Sequence, residues 1–77
     1  MNANNLIITG DLLSINEQSF IIFNSNAGSI EIHTNKASLK KLKNYSNIND
    51  HIGVKGHINA NSGMLQIIAD KISFINK

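Results

Sequence analysis

The sequence predicts an all-β domain: a five-stranded barrel with one short helix between its third and fourth strands. Three observations lead there. Five short runs rich in β-branched residues are separated by turn-forming residues. One stretch, Lys36 to Tyr45, changes period and repeats its apolar residues every third position. The chain has 77 residues, enough for one domain over 1–77 and no more.

The first run is Leu6 to Ile15. Leu6, Ile8 and Leu12 share one parity with Gly10 among them, and Ile7, Leu13 and Ile15 are apolar on the other. A strand apolar on both sides, with a glycine inside it, suits a long curved strand that serves two halves of a barrel. Part of its second side, Ile7, Leu13 and Ile15, is a candidate partner surface. Asn16-Glu17-Gln18 is a turn, and Ser19 to Phe23 is the second strand. Asn24 to Gly28 is a hairpin loop made of turn formers. Ser29 to Thr34 is the third strand, with Ile30 and Ile32 facing one way and Glu31 and His33 the other.

Lys36 to Tyr45 reads as an amphipathic helix on Leu39, Leu42 and Tyr45, with Thr34 or Asn35 as its N-cap. Ser46 to Asp50 is a polar connector. Ile52 to Ile58 is the fourth strand, Asn59 to Gly63 a second hairpin loop, and Met64 to Ile68 the fifth strand. Ala69 to Ile75 continues that strand after a break. Ile8-Thr9-Gly10-Asp11-Leu12 and Val54-Lys55-Gly56-His57-Ile58 share the pattern apolar-x-Gly-x-apolar. They are expected to bend at the same depth of the barrel wall. The order β-β-β-α-β-β is that of an OB-fold barrel, whose closure removes exposed edges. A meander sheet with a helix on one face fits the same order.

Composition narrows the function. The formal charge is +2, mildly basic, and every basic residue is Lys. Bidentate guanidinium readout of bases is therefore closed to this chain. The abundance of Ile and Asn and the lack of Arg and Pro read as codon pressure from an AT-rich genome. Without Cys there is neither a disulfide nor a thiolate site. A domain this small buries only about 60% of its unfolded surface, which makes a stabilising partner expected. No run reaches the ~20 apolar residues of a membrane span. Met1 to Asn5 is polar and uncharged, unlike a secretory signal, so a soluble, intracellular protein is expected.

The chain offers little for catalysis. His51 and His57 are too far apart for common zinc spacing, and no Cys completes a set. His33 likewise reads as an exposed strand residue. The carboxylates Asp11, Glu17, Glu31, Asp50 and Asp70 form no readable acid–base pair. No serine sits in a nucleophile elbow, and the glycines form no phosphate loop. The expectation is a non-enzyme with no metal, cofactor or small-molecule substrate.

For nucleic acid the residues are few. OB-folds bind single strands across strands two and three, stacking bases on aromatic rings beside a basic groove. Phe20 and Phe23 differ in parity, so at most one faces such a groove. Phe23 is the stacking candidate, with His33, Lys36, Lys55 and His57 as outward polar contacts. Phe20 and Phe74 read as core. Lys36, Lys40, Lys41 and Lys43 read first as the solvated side of the helix.

With the order laid out, the chain resembles the small subunit of replication protein A, the eukaryotic single-strand DNA-binding heterotrimer. The likeness runs from Leu6 to Phe74. Its carriers are Ile8-Thr9-Gly10-Asp11-Leu12, the hairpin Phe20-Ile21-Ile22-Phe23 to Gly28-Ser29-Ile30-Glu31-Ile32, the strand Ile52-Gly53-Val54-Lys55-Gly56-His57-Ile58, and Met64 to Phe74. Telomere- and telomerase-associated small subunits share much of this pattern. The resemblance implies a nuclear subunit of a complex acting in DNA replication, repair or telomere maintenance. Its partners would be larger OB-fold subunits, with single-stranded DNA bound mainly by them and this chain serving assembly. That family's core is held by C-terminal helices, and none follows the last strand here. Assembly through the barrel wall is then expected, or a likeness of fold alone. Two other readings are a stand-alone, weak binder of single-stranded DNA or RNA, and a small phage or plasmid protein that uses the barrel to inhibit a host enzyme.

Overall fold

Alternation of apolar and polar residues gives five strands, and the change of period gives one helix. They run β1 (Leu6–Ile15), β2 (Ser19–Asn24), β3 (Gly28–His33), α1 (Lys36–Tyr45), β4 (His51–Asn61) and β5 (Met64–Phe74). The computed structural model describes residues 5–75. The polar residues Met1 to Asn4, and Asn76 and Lys77, lie outside the described residues.

The strands close into a barrel in the order β1-β2-β3-β5-β4, with β4 returning to β1. Among the described residues only β3 and β5 pair in parallel, through Ile32↔Ile67 and His33↔Ile68. This is the OB-fold, and the pairing of β1 with both β2 and β4 rules out the open meander. Leu12, Phe20, Ile22, Ile32, Ile52 and Val54 point inward from four strands. Leu39 and Leu42 of α1 join them in one cluster. Ile8, Ile30, Ile67, Ile72 and Phe74 pack around it half-buried. Phe74 also meets Tyr45 of the helix, with ring centroids 6.2 Å apart at 60°.

Two bulges set which side chains face out. In β1, Leu12 pairs with Ile22 and Ser14 with Ile21, so Leu13 is an extra residue. The bulge reverses the parity beyond it, since two residues oppose one on the partner strand. Ile15 therefore turns inward, opposite Phe20, and packs on the core. The expectation that Ile15 shares an outer side with Ile7 and Leu13 is thus corrected. In β5, Lys71 pairs with Lys55 and Ala69 with Gly56, so Asp70 is the extra residue. The expected break before Ala69 is this bulge, and β5 is otherwise continuous.

The loops follow local chemistry. Asn24 Oδ1 accepts from the backbone N–H groups of Asn26 and Ala27 at 2.8 and 3.0 Å, which folds the β2–β3 loop. The β4–β5 connection is shorter than expected. Pairing continues to Asn61↔Met64, and Ser62-Gly63 alone make the turn, with φ of 53° and 80°. Two central residues at positive φ match the twist of the flanking strands, so the hairpin stays paired to its tip. The paired glycine pattern is also corrected. Gly10 lies opposite Ile52 and Gly56 opposite Leu6, towards opposite ends of the β1–β4 ladder and not at one depth.

Asn35, not Thr34, caps α1. Its side-chain Oδ1 accepts from the N–H of Ser38 at 2.8 Å. Asn35→Ala is expected to cost about 1 kcal/mol. In a domain this size that lowers the melting temperature by about 4–8 °C, readable by circular dichroism. An unchanged melt would mean the cap contributes nothing.

Candidate interaction surfaces

The outer wall of β1, β2 and β3 is built by side chains of the non-core parity. One row crosses it through His51↔Asp11↔Phe23↔Ser29, taken from four neighbouring strands. Phe23 is 45% exposed there, and Leu13 is 39% exposed at the β1 bulge. Ile21 pairs with Ser14, the residue after Leu13, and is half-buried. Ile7 is 79% exposed but sits four residues from Asp11 along β1, opposite Lys55. Of the three candidate partner residues, Leu13 thus adjoins Phe23, Ile7 stands about 13 Å away along the strand, and Ile15 belongs to the core.

The charge on this wall is acidic. Strands β1 to β3 carry Asp11 and Glu31 and no lysine. Glu31 is held in place, because the buried Ser19 hydroxyl donates to its Oε2 at 2.8 Å. Asp11 Oδ1 lies 2.9 Å from His51 Nδ1, both side chains about half exposed. A pair so open to water adds little stability, but it fills the position beside Phe23 with a carboxylate.

The candidate nucleic-acid residues do not converge. Phe23 lies on the wall just described. His33 and His57 flank Ile68 in the row His33↔Ile68↔His57, on the outside of β3, β5 and β4. His57 Nδ1 is 2.9 Å from Oδ2 of Asp70, the unpaired residue of the β5 bulge. His33 Nε2 is 3.9 Å from Glu31 Oε1. Lys55 is exposed two residues from His57, opposite Lys71. Lys36 begins α1, apart from all of these. A carboxylate accompanies each of the three histidines, and no group of three or more metal-ligating side chains occurs among the described residues.

Sequence reasoning passed over one feature that the fold creates. The Asn16–Gln18 turn and α1 together line an open cleft of about 460 Å³. Its helix side carries Lys36, Lys40 and Lys43. Their i, i+4, i+7 spacing was visible in the chain, but the turn that faces them was not. Met64 and Leu65, at the tip of the β4–β5 hairpin, are also exposed, at 68% and 74%. No helix among the described residues is long and apolar enough to cross a membrane.

No protein-family model matches the chain, and no curated protein matches it in sequence. Solved structures do match it in fold. The mitochondrial single-stranded DNA binding protein Rim1 of S. cerevisiae superposes with a TM-score of 0.73 at 15% identity, covering 92% of this chain and 91% of that one. A chain of a replication protein A heterotrimer bound to ssDNA gives 0.71 at 12% identity, covering 96% of this chain and 59% of that one. The OBody NL8, bound to hen egg-white lysozyme, gives 0.72 at 15% identity over 95% of this chain and 94% of that one. At such identities the likeness establishes the OB-fold.

Proposed function

We propose that this domain is a non-enzymatic OB-fold subunit of a single-stranded DNA-binding complex, acting mainly in its assembly. One observation carries the reading: the outer wall of β1 to β3 presents exposed Leu13 and Phe23 among carboxylates, with no lysine. Apolar side chains beside fixed charge suit a protein partner, whereas a phosphate backbone needs cations. The fold neighbours support both halves of the proposal. One similar chain belongs to a heterotrimer bound to ssDNA, and another OB-fold is bound to a protein, lysozyme. A subunit of the replication protein A small-subunit kind, with nuclear location and a part in replication, repair or telomere maintenance, is the specific form of this proposal.

Co-expression with the larger single-strand-binding OB-fold subunits of the same genome tests it. The expected result is co-elution on gel filtration, lost in Leu13→Lys. That substitution places a charge at an exposed position and leaves the barrel folded. Elution of the wild-type chain as a free monomer beside those subunits overturns the proposal.

A further inference from the structure

Positive charge in this protein is concentrated in one element. Four of the seven lysines, Lys36, Lys40, Lys41 and Lys43, fall in α1, which holds no carboxylate. The rest of the chain sets three lysines against five carboxylates. The domain is therefore polarised, with a basic helix and an acidic barrel wall. A polyanion approaching it is steered to the helix.

The helix has a shape to match. Lys36, Lys40 and Lys43 form one stripe and line the cleft of about 460 Å³ together with Asn16 and Gln18, the Asn16 amide also donating to Ser19 Oγ at 3.4 Å. Those amides carry N–H donors for phosphate oxygens or base edges. Glu17 is the one carboxylate that lines the cleft. From Lys36 to Lys43 the helix rises about 10 Å, the length of roughly three phosphates at the 3.4 Å per-strand rise of stacked nucleic acid. Lys41 lies off this stripe and lines a separate hollow with Asp70 and Lys71 of β5. An anionic membrane is a poorer fit. An interfacial helix must bury its apolar side in lipid, and here Leu39 and Leu42 are already buried in the barrel core.

We infer that the lysine stripe of α1, and not the β2–β3 wall, is the track for the sugar–phosphate backbone of single-stranded nucleic acid. This deepens the single-strand part of the proposed function and leaves the β1–β3 wall free for a protein partner. One domain can then hold both at once, on different sides.

Fluorescence anisotropy of the full chain with a labelled oligo-dT, titrated across a range of salt, tests the inference. Replacing Lys36, Lys40 and Lys43 together by Gln preserves helix propensity, which far-UV circular dichroism checks. The triple variant is expected to bind about tenfold or more weakly at low salt. The slope of log affinity against log salt should flatten by about 2, from three lost contacts at about 0.7 each. Phe23→Ala, and the pair Lys55→Gln with Lys71→Gln, are expected to leave that slope unchanged. A triple variant that binds as the wild type does overturns the inference, as does equal damage from the Lys55/Lys71 pair. Binding to duplex DNA or anionic vesicles as tight as to oligo-dT overturns the assignment to single strands. If the wild type has no affinity for oligo-dT even at low salt, the inference fails, while the assembly reading still answers to co-elution.

Discussion

Phe20→Ala is expected to bring the domain close to unfolding, while Phe23→Ala, three residues away, leaves it almost as stable as before. Phe20 is fully buried near the start of β2, between Ile15 and Ile32 in register. Truncating a buried phenylalanine loses its transfer free energy and leaves a cavity, together about 3–5 kcal/mol. A chain of this length has about 4–12 kcal/mol in total. The melting temperature should therefore fall by about 12–40 °C. Phe23 has the opposite parity and is 45% exposed, so its loss should cost less than about 1 kcal/mol. Paired thermal melts check both values. A reversed order, with Phe23→Ala the more damaging, would mean that β2 is shifted by one residue, since such a slip exchanges its two sides. The contrast also makes Phe23→Ala usable in binding experiments, because a lost interaction would not be lost folding.

Most of the fold was legible because it depends on local pattern. The bounds of the first strand and of the helix follow from periodicity, and Leu39 and Leu42 are in the core as their spacing requires. What escaped is non-local. Ile15 follows the outward parity of Ile7 and Leu13 in the chain, and only the bulge at Leu13 turns it inward. A bulge is a property of two paired strands, and no residue near Leu13 announces it. The same holds for Asp70, where the chain shows an interruption but not its geometry. The turn formers Asn59 and Asn61 point to a longer β4–β5 loop, and pairing overrides that preference.

The interaction surfaces were less legible than the fold. Phe23, His33, Lys36, Lys55 and His57 share residue type and outward parity in the chain, and the barrel distributes them over three sides. Separation of charge mattered more than any single candidate. The sequence contains both halves of it, a lysine-rich helix and lysine-free strands β1 to β3. Their meaning depends on closure, which turns the strands into one acidic wall and leaves the helix at another side. A solvated helix needs a polar side, but it does not need four lysines without a carboxylate. Intrahelical Glu–Lys pairs would satisfy solvent and add stability, and α1 has none.

Gly56→Ala is the other substitution expected to have a large effect, and its cause is a backbone approach that no side chain can relieve. A methyl group at Gly56 would overlap the carbonyl oxygen of Ile68, and it would lie 3.1 Å from that carbonyl's carbon. Both obstacles are main chain of the neighbouring strand. Relief requires β4 and β5 to separate beside the Asp70 bulge, in the longest ladder of the barrel. Overpacking of this kind costs about 3 kcal/mol, or about 12–24 °C in melting temperature. Gly53→Ala supplies the control from the same strand. Its methyl would meet only side-chain atoms of Ile75, Ser73 and Thr9, at 3.7 to 3.9 Å. That is ordinary contact, and removing a glycine from a strand restricts the unfolded chain. The variant should therefore be about 0.4–1 kcal/mol more stable than the wild type. If Gly56→Ala melts with the wild type, β4 and β5 are not in contact as described, and the bulge that presents Asp70 to His57 is misplaced. If Gly53→Ala is the more damaging of the two, the inward and outward sides of β4 are exchanged, and Lys55 and His57 leave the barrel's outer surface.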